Sequence, residues 1–278
     1  MKLSDIEKFA HNLAIEAGSL IKSESDEGAS VVQTFKNEHE LVTSADIAVD
    51  KYICSEINKA FPEHAIVSEE TFPKTNDFDK TATSFWIIDP IDGTRDFIKG
   101  GNNWSHSFAI VRNGKVSAAV VYVPRQDLLF SAYLGGGCWL NGERNQIKAI
   151  NKTGEFDLIA AKLVEDDKIW KLNSKPKFKR EHKPSIAFRM ASVSRGKYHA
   201  MMTLRDSWEW DVCAGSLLIT ESGGIVLDRY MKQPIFNTKK QKNKIINDLL
   251  KNNNLIYTSN TEHKKYSIYH GGRRIIKK

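Results

Sequence analysis

Residues 86–97 read WIIDPIDGTRDF. Four apolar residues, Phe85 to Ile88, run directly into Asp89, and Asp92, Gly93 and Thr94 follow within a few positions. An apolar run of this length bounded by turn residues predicts a buried strand. A buried strand that breaks off in two carboxylates around a proline limits the choice of fold. The acids must emerge at the end of a sheet, where something offsets their charge. Proline lacks an amide donor and fixes φ, so the chain is expected to leave the sheet sharply there. That turn would aim Asp89, the Ile91 carbonyl and Asp92 at neighbouring ions. Gly93 lets the backbone approach an anion closely, and the Gly93 and Thr94 amides at a helix N-terminus suit phosphate oxygens.

Three further stretches place acids at the ends of elements. Glu69 and Glu70 follow the apolar run AIV, Asp211 opens an apolar helix in SWEWDVCAG, and Asp46 lies in LVTSADIAVD. Taken singly, each has a structural reading. Asp46 can close a capping box with Thr43, Asp211 can favour a helix N-terminus, Glu69-Glu70 can be a solvated loop, and Asp89 and Asp92 can be turn acids. Taken together, crowded carboxylates need a hard cation, and Mg²⁺ takes all-oxygen ligands. Acids for a metal, followed at once by amides for phosphate, form the layout of metal-assisted phosphoester hydrolysis. None of the eight histidines falls at these acidic positions. His106 reads as a strand residue facing core or solvent.

Elsewhere the pattern is mixed. Ser4 and Glu7 predict a capping box for a first helix closed by Gly28, and a second helix is expected from near Thr43 to just before Pro62. Asn113-Gly114 predicts a hairpin inside an antiparallel meander that continues through QDLLFSAYLGGGCWLNGER. After Arg144, strands FDLIAAKL, KYHAMMTL, GIVLDR and LIYTS alternate with helices PSIAFRMASVSRG, WDVCAGSLLITESGG and NKIINDLLKNNN. The class is therefore mixed α and β. Two subdomains are expected: 1–145, an α+β part with most of the acids, and 146–278, an α/β part supplying Asp211.

A chain of 278 residues can bury a real core, and 41% hydrophobic with 27% charged residues suits a soluble globular protein. No apolar run approaches the ~20 residues that span a bilayer. The first residues lack a basic-then-apolar leader, so a cytoplasmic location is expected. Three scattered cysteines suit a reducing compartment. The net charge is +7, concentrated in KIWKLNSKPKFKREHKP (168–184) and the C-terminal HGGRRIIKK. Those runs are either solvated segments or a surface for an anionic partner, phosphorylated substrate or nucleic acid. The lysine-rich NTKKQKNK is expected to be a surface loop.

LVTSAD, VSEE, WIIDPIDGTRDF, VVYVPRQDLLFSAYLGGGCWLNG and WEWDVCAGSLLITESGG, in this order over nearly the whole chain, resemble the inositol monophosphatase family, Mg²⁺-dependent, lithium-sensitive phosphatases that share a fold with fructose-1,6-bisphosphatase. The resemblance implies layered α/β/α/β/α packing and commonly a homodimer. It implies that Glu69, Asp89, the Ile91 carbonyl, Asp92 and Asp211 hold two or three Mg²⁺. Glu70 would contact metal-bound water, Thr94 with Asp46 would polarise the attacking water, and the Gly93 and Thr94 amides would bind phosphate. Asp92 and Asp211 would also face the substrate. The sequence departs from the family's usual pattern at Ser68, at Arg95 and near Leu204, where members selective for inositol phosphate tend to carry an acid. The first substrate candidate is myo-inositol 1-phosphate. The alternatives are a 3'(2'),5'-bisphosphate nucleotidase acting on 3'-phosphoadenosine 5'-phosphate, and an accessory protein for RNA or RNA polymerase.

Overall fold

The computed structural model describes residues 2–26, 33–35, 41–71, 82–147, 155–167, 175, 177–203, 206–227, 233–234, 236, 251–253, 256–258, 269–270 and 273–274. The chain opens with α1 (Leu3–Asp26). Its core side is fixed by Ile6, Ala10, Leu13, Ala17 and Ile21, all fully or almost fully buried and spaced for one helix face. The Lys2 carbonyl accepts from the Asp5 and Ile6 amides at 3.1 and 3.3 Å. Ser4 therefore sits inside the first turn and is not the N-cap, which corrects the expected capping box. Gly28 lies outside the described residues.

A short hairpin, β1 (Gln33–Phe35) and β2 (Leu41–Thr43), leads into α2 (Ser44–Ala60). This helix ends at Phe61, ahead of Pro62, as the sequence predicts. Then come β3 (Ala65–Ser68), β4 (Ser84–Asp92), α3 (Thr94–Ile98), β5 (Ser105–Arg112), β6 (Lys115–Val123), β7 (Leu128–Tyr133), β8 (Gly137–Leu140) and β9 (Glu143–Asn145). These seven strands form one sheet in sequence order, with β3 parallel to β4 and the rest antiparallel. The β5–β6 hairpin turns at Asn113 (φ 51°) and Gly114 (φ 75°), the positive-φ pair expected there.

The second half supplies β10 (Phe156–Ala160), β11 (Phe178–Glu181), α4 (Ile186–Ser194), β12 (Ala200–Met202), β13 (Asp206–Trp208), α5 (Glu209–Glu221), β14 (Ile225–Leu227), β15 (Lys251–Asn253) and β16 (Ile256–Thr258). A five-stranded sheet runs β11-β10-β12-β16-β14, β13 pairs with β15, and a last pair joins β17 (Tyr269–His270) to β18 (Arg273–Arg274). Residues 251–253, expected at the end of a helix, are instead a strand paired with residues 206–208. The rest of that expected helix, 243–250 and 254, and the segment NTKKQKNK lie outside the described residues.

The large sheet separates two cores by alternation along its strands, interrupted at bulges in β4 and β6. Trp86, Ile88, Phe108, Ile110, Val120 and Tyr122 pack with α1 and α2. Phe85, Ile87, Ala109, Val111, Ala119 and Val121 pack with α4 and α5, and the same cluster takes in Ile159, Met201 and Val226 of the small sheet. Among the described residues the layers run helix, sheet, helix, sheet. Among the described residues no helix is long and apolar enough to cross a membrane.

Candidate active site

The acidic motif does not leave the sheet at its proline. Strand β4 continues to Asp92, with Asp89 opposite Ser107 and Asp92 opposite Ser105. Three steps along β4 therefore match two along β5, so Pro90 and Ile91 together oppose His106. That is a β-bulge, and proline is tolerated there because no ladder donor is required of it. The extra residue matters because residues three apart in a regular strand face opposite sides. Trp86 and Ile88 face the α1/α2 core, as does Ile91 beyond the bulge. Asp89 and Asp92 both turn to the side of α4 and α5. The expectation of a sharp exit at Pro90 is corrected, and it is the bulge that puts Asp89 and Asp92 on one side of the sheet.

Asp89, Asp92 and Asp211 each present a carboxylate oxygen, and the three oxygens lie within 4.8 Å of one another. Asp211 comes from the first turn of α5, where its Oδ2 accepts from the Trp208 amide at 3.2 Å. Asp89 and Asp92 are buried and Asp211 is partly so. The Asp89 Oδ1 atom is buried with no hydrogen-bond donor. Burial, then the charges of Glu69, Asp92, Asp211 and Glu70, push the Asp89 carboxyl well above the usual carboxylate range. Glu69 and Glu70 are brought within electrostatic reach because β3 pairs in parallel with β4, Ser68 beside Ile88, and the Glu69 amide donates to the Ile88 carbonyl at 3.1 Å.

Thr94 and Asp46 also meet. The Thr94 hydroxyl lies 3.1 Å from the Ile91 carbonyl and 3.4 Å from Asp46 Oδ1. Asp46 uses its other oxygen at the start of α2, accepting from the Thr43 amide at 2.8 Å and the Thr43 hydroxyl at 2.5 Å, while Thr43 caps the helix. Asp46 thus closes the capping box with one oxygen and faces the Thr94 hydroxyl with the other. Gly93 stands at φ 99° ahead of α3, and a Cβ there would lie 3.3 Å from Trp104 Cα and 3.4 Å from the Ser185 amide nitrogen. Only glycine fits both the conformation and the space.

Sequence reasoning missed five residues around the acids. Asp92 Oδ2 accepts from the Ser185 hydroxyl at 2.7 Å and the Ala187 amide at 2.6 Å, both at the start of α4. Ser185 also caps α4 by accepting from the Phe188 amide at 2.8 Å. A serine three positions before an apolar helical residue is an N-cap signal that could have found it. Ser105 lies 2.9 Å from Ser185, His106 Nδ1 bonds the Pro90 carbonyl, and Ser107 donates to the Trp210 carbonyl at 2.8 Å. His106 is fully buried, and burial drives its imidazole down to about 4. Leu204 lies outside the described residues. Glu209, two residues before Asp211, is fully buried.

Residues 2–268 match the inositol monophosphatase family. The chain belongs to that family. It is 31% identical over 230 residues to a fructose-1,6-bisphosphatase/inositol-1-monophosphatase of Thermotoga maritima, covering 80% of this chain and 81% of that one. It is 33% identical over 238 residues to Nus factor SuhB of Escherichia coli K12, covering 79% and 84%. The fold agrees with the solved IMPase of Thermotoga maritima at a TM-score of 0.74 and 26% identity, over 93% of this chain and 94% of that chain. The inositol monophosphatase family is one of phosphatases, hydrolytic enzymes that are generally metal-dependent. The residues here fit such a metal, since the donor set is all oxygen and one buried carboxylate oxygen has no partner from the protein.

Proposed function

We propose that this protein is a Mg²⁺-dependent phosphomonoesterase that hydrolyses a small phosphorylated alcohol, with myo-inositol 1-phosphate as first candidate. The observation that carries the reading is the meeting of Asp89, Asp92 and Asp211 around a buried, donorless carboxylate oxygen. In this reading Glu69, Asp89, the Ile91 carbonyl, Asp92 and Asp211 hold two or three Mg²⁺. A divalent cation bound there supplies positive charge for phosphoryl oxygens and makes water more acidic.

The chain's own groups do the rest. The Gly93 and Thr94 amides hold the phosphate. Thr94 turns its proton toward Asp46 and Ile91, leaving a hydroxyl lone pair to accept from the attacking water. As the water gives its proton to the Thr94 hydroxyl, Thr94 passes its own to the Asp46 carboxylate, which is held by Thr43. Glu70 orients the same water. The water oxygen bonds to phosphorus as the ester P–O bond breaks, and the alcohol leaves with a proton taken from solvent. Positioning and electrostatics suffice, so no side-chain nucleophile is needed.

A bisphosphate nucleotidase is the second reading. It is favoured by Lys183, whose ammonium is held 2.8 Å from Asn103 Oδ1 just before the α4 cap that touches Asp92. A second substrate phosphate would find a cation there. A role with RNA or RNA polymerase is suggested by the likeness to the Escherichia coli Nus factor. A homodimer belongs to the same proposal, as does a cytoplasmic setting.

The deciding experiment is phosphate release in Mg²⁺ from inositol 1-phosphate, 3'-phosphoadenosine 5'-phosphate, fructose 1,6-bisphosphate and histidinol phosphate, each repeated with chelator. Chelator-sensitive release from one of them is expected. No release from any would sink the enzymatic reading. RNA binding that falls with salt and survives Asp92→Asn would establish the binding role as separate.

A further inference from the structure

We propose that Ser105, His106 and Ser107, consecutive on β5, form a positioning element that sets all three converging carboxylates. The inference rests on the reading of those acids as a metal centre. It uses residues whose own oxygens and nitrogens are not ligands.

Alternation along β5 sends the two serines to the α4/α5 side and the histidine to the opposite side. The hydrogen bonds then assign a task to each. A hydroxyl has one proton and two lone pairs. Ser185 gives its proton to Asp92, a carboxylate that can only accept, and one lone pair takes the Phe188 amide. The remaining contact, 2.9 Å to Ser105, must therefore run from Ser105 to Ser185. Ser105 completes the saturation of Ser185 and so fixes the rotamer that holds Asp92.

His106 acts on the backbone between the other two acids. The Pro90 carbonyl can only accept, so His106 Nδ1 carries the ring proton and donates it. The ladder register shifts at Pro90 and Ile91, and there the imidazole gives the Pro90 carbonyl a side-chain donor. The ring is locked by Trp104 at 5.6 Å, edge-on, and Phe108 at 6.1 Å, stacked. Its Nε2 atom is buried with no hydrogen-bond partner, so the ring's interaction with the site runs through Nδ1 alone.

Ser107 reaches the third acid. Its hydroxyl donates to the carbonyl of Trp210, the residue before Asp211, and so ties the first turn of α5 to the strand opposite Asp89. One tripeptide thus touches the support of Asp92, the peptide linking Asp89 to Ile91, and the turn that carries Asp211.

The test is Mn²⁺ affinity of the full chain, read by electron paramagnetic resonance, for wild type, Ser105→Ala, Ser107→Ala and His106→Phe. Ser107→Thr and His106→Asn serve as conservative rescues, since they keep a hydroxyl and a donor near Nδ1. Each disruptive change is expected to weaken Mn²⁺ binding by about 10-fold, as loss of an outer-sphere partner typically does. The rescues should return it to within about threefold, a smaller loss than that of an outer partner. If His106→Phe does not fold, the two serine variants decide. Wild-type affinity in both, with unchanged circular dichroism, would overturn the proposal. Failure of the wild type itself to bind Mn²⁺ would instead remove the metal-centre reading, and this inference with it.

Discussion

Asp92 accepts the hydroxyl of Ser185, 93 residues further along the chain, at 2.7 Å. This bond joins the bulged end of β4 to the cap of α4, so a site acid and a helix terminus share one donor. Ser185→Ala removes both functions. Loss of the cap should cost about 1 kcal/mol of stability. Turnover should fall further than that loss explains, because Asp92 keeps only the Ala187 amide among these two donors. Urea unfolding beside steady-state kinetics will separate the two effects. Normal turnover in a destabilised variant would count against the link.

Asp211→Asn leaves the fold intact and withdraws one of three converging charges. Turnover should drop by a factor on the order of 10² to 10³, as for loss of an electrostatic stabiliser of the transition state. The thermal response to Mg²⁺ gives an independent reading. At 100 times its dissociation constant a ligand stabilises by about 2.7 kcal/mol, which is roughly 5 °C for a chain of this size. The wild type should show that shift, and Asp211→Asn should show little of it.

Gly93→Ala tests the turn between the converging acids and the amides proposed to hold phosphate. The residue stands at φ 99°, and a methyl group would press on the Trp104 backbone at 3.3 Å. The change should destabilise by about 1–3 kcal/mol and abolish phosphate release, since the strain falls where the amides must be aimed. Retained activity with a wild-type KM for substrate would refute the role given to this turn.

Acid should weaken the metal-free protein through buried histidines. His106 is lowered from 6.5 to about 4 by burial, so it is neutral when folded and charges readily when unfolded. Its contribution is complete above pH 6.5 and is lost as pH falls toward 4, a change on the order of 3 kcal/mol. His64 acts in the same direction, lowered first by burial, and its Nδ1 must stay bare to accept from Trp86 Nε1 at 3.0 Å. Asp89 works oppositely. Its raised carboxyl favours the folded state at low pH and loses that contribution as pH rises through its raised value. In urea titrations in chelator between pH 4 and 7, the stability of wild type relative to His106→Asn should rise with pH. In the same buffers Asp89→Asn should gain on wild type as pH increases.

The parts of this fold that were legible in the sequence are those set by neighbours along the chain. The Asn113-Gly114 turn, the cap at Thr43 and the apolar run of β4 each follow from local sterics and from a strand with both sides buried. The acids of the motif were legible for a different reason: their charge is intolerable in a core without a purpose. What could not be read was the bulge. Proline at 90 signals an exit when β4 is considered alone, and only the pairing with Ser105 and Ser107 makes the strand continue. The roles of Ser185 and His106 were hidden in the same way, since each depends on a partner 16 or more residues distant. Lys251–Asn253 misled because its helical pattern is overruled by pairing with Asp206–Trp208.

Asp46 spends one oxygen on closing α2 and turns the other toward Thr94. Evolution therefore cannot tune the two tasks apart at this position. A change that relaxes the chemistry also frays the helix, and a compensating helix cap elsewhere would not restore the lost carboxylate. Descendants of this chain that abandon hydrolysis while keeping the fold should still carry the aspartate, so its persistence in a relative is poor proof of activity. Asp211 shares that double duty more loosely, its Oδ2 accepting the Trp208 amide at 3.2 Å where Asp46 takes the Thr43 amide at 2.8 Å, so its loss would be the earlier sign that catalysis has been given up.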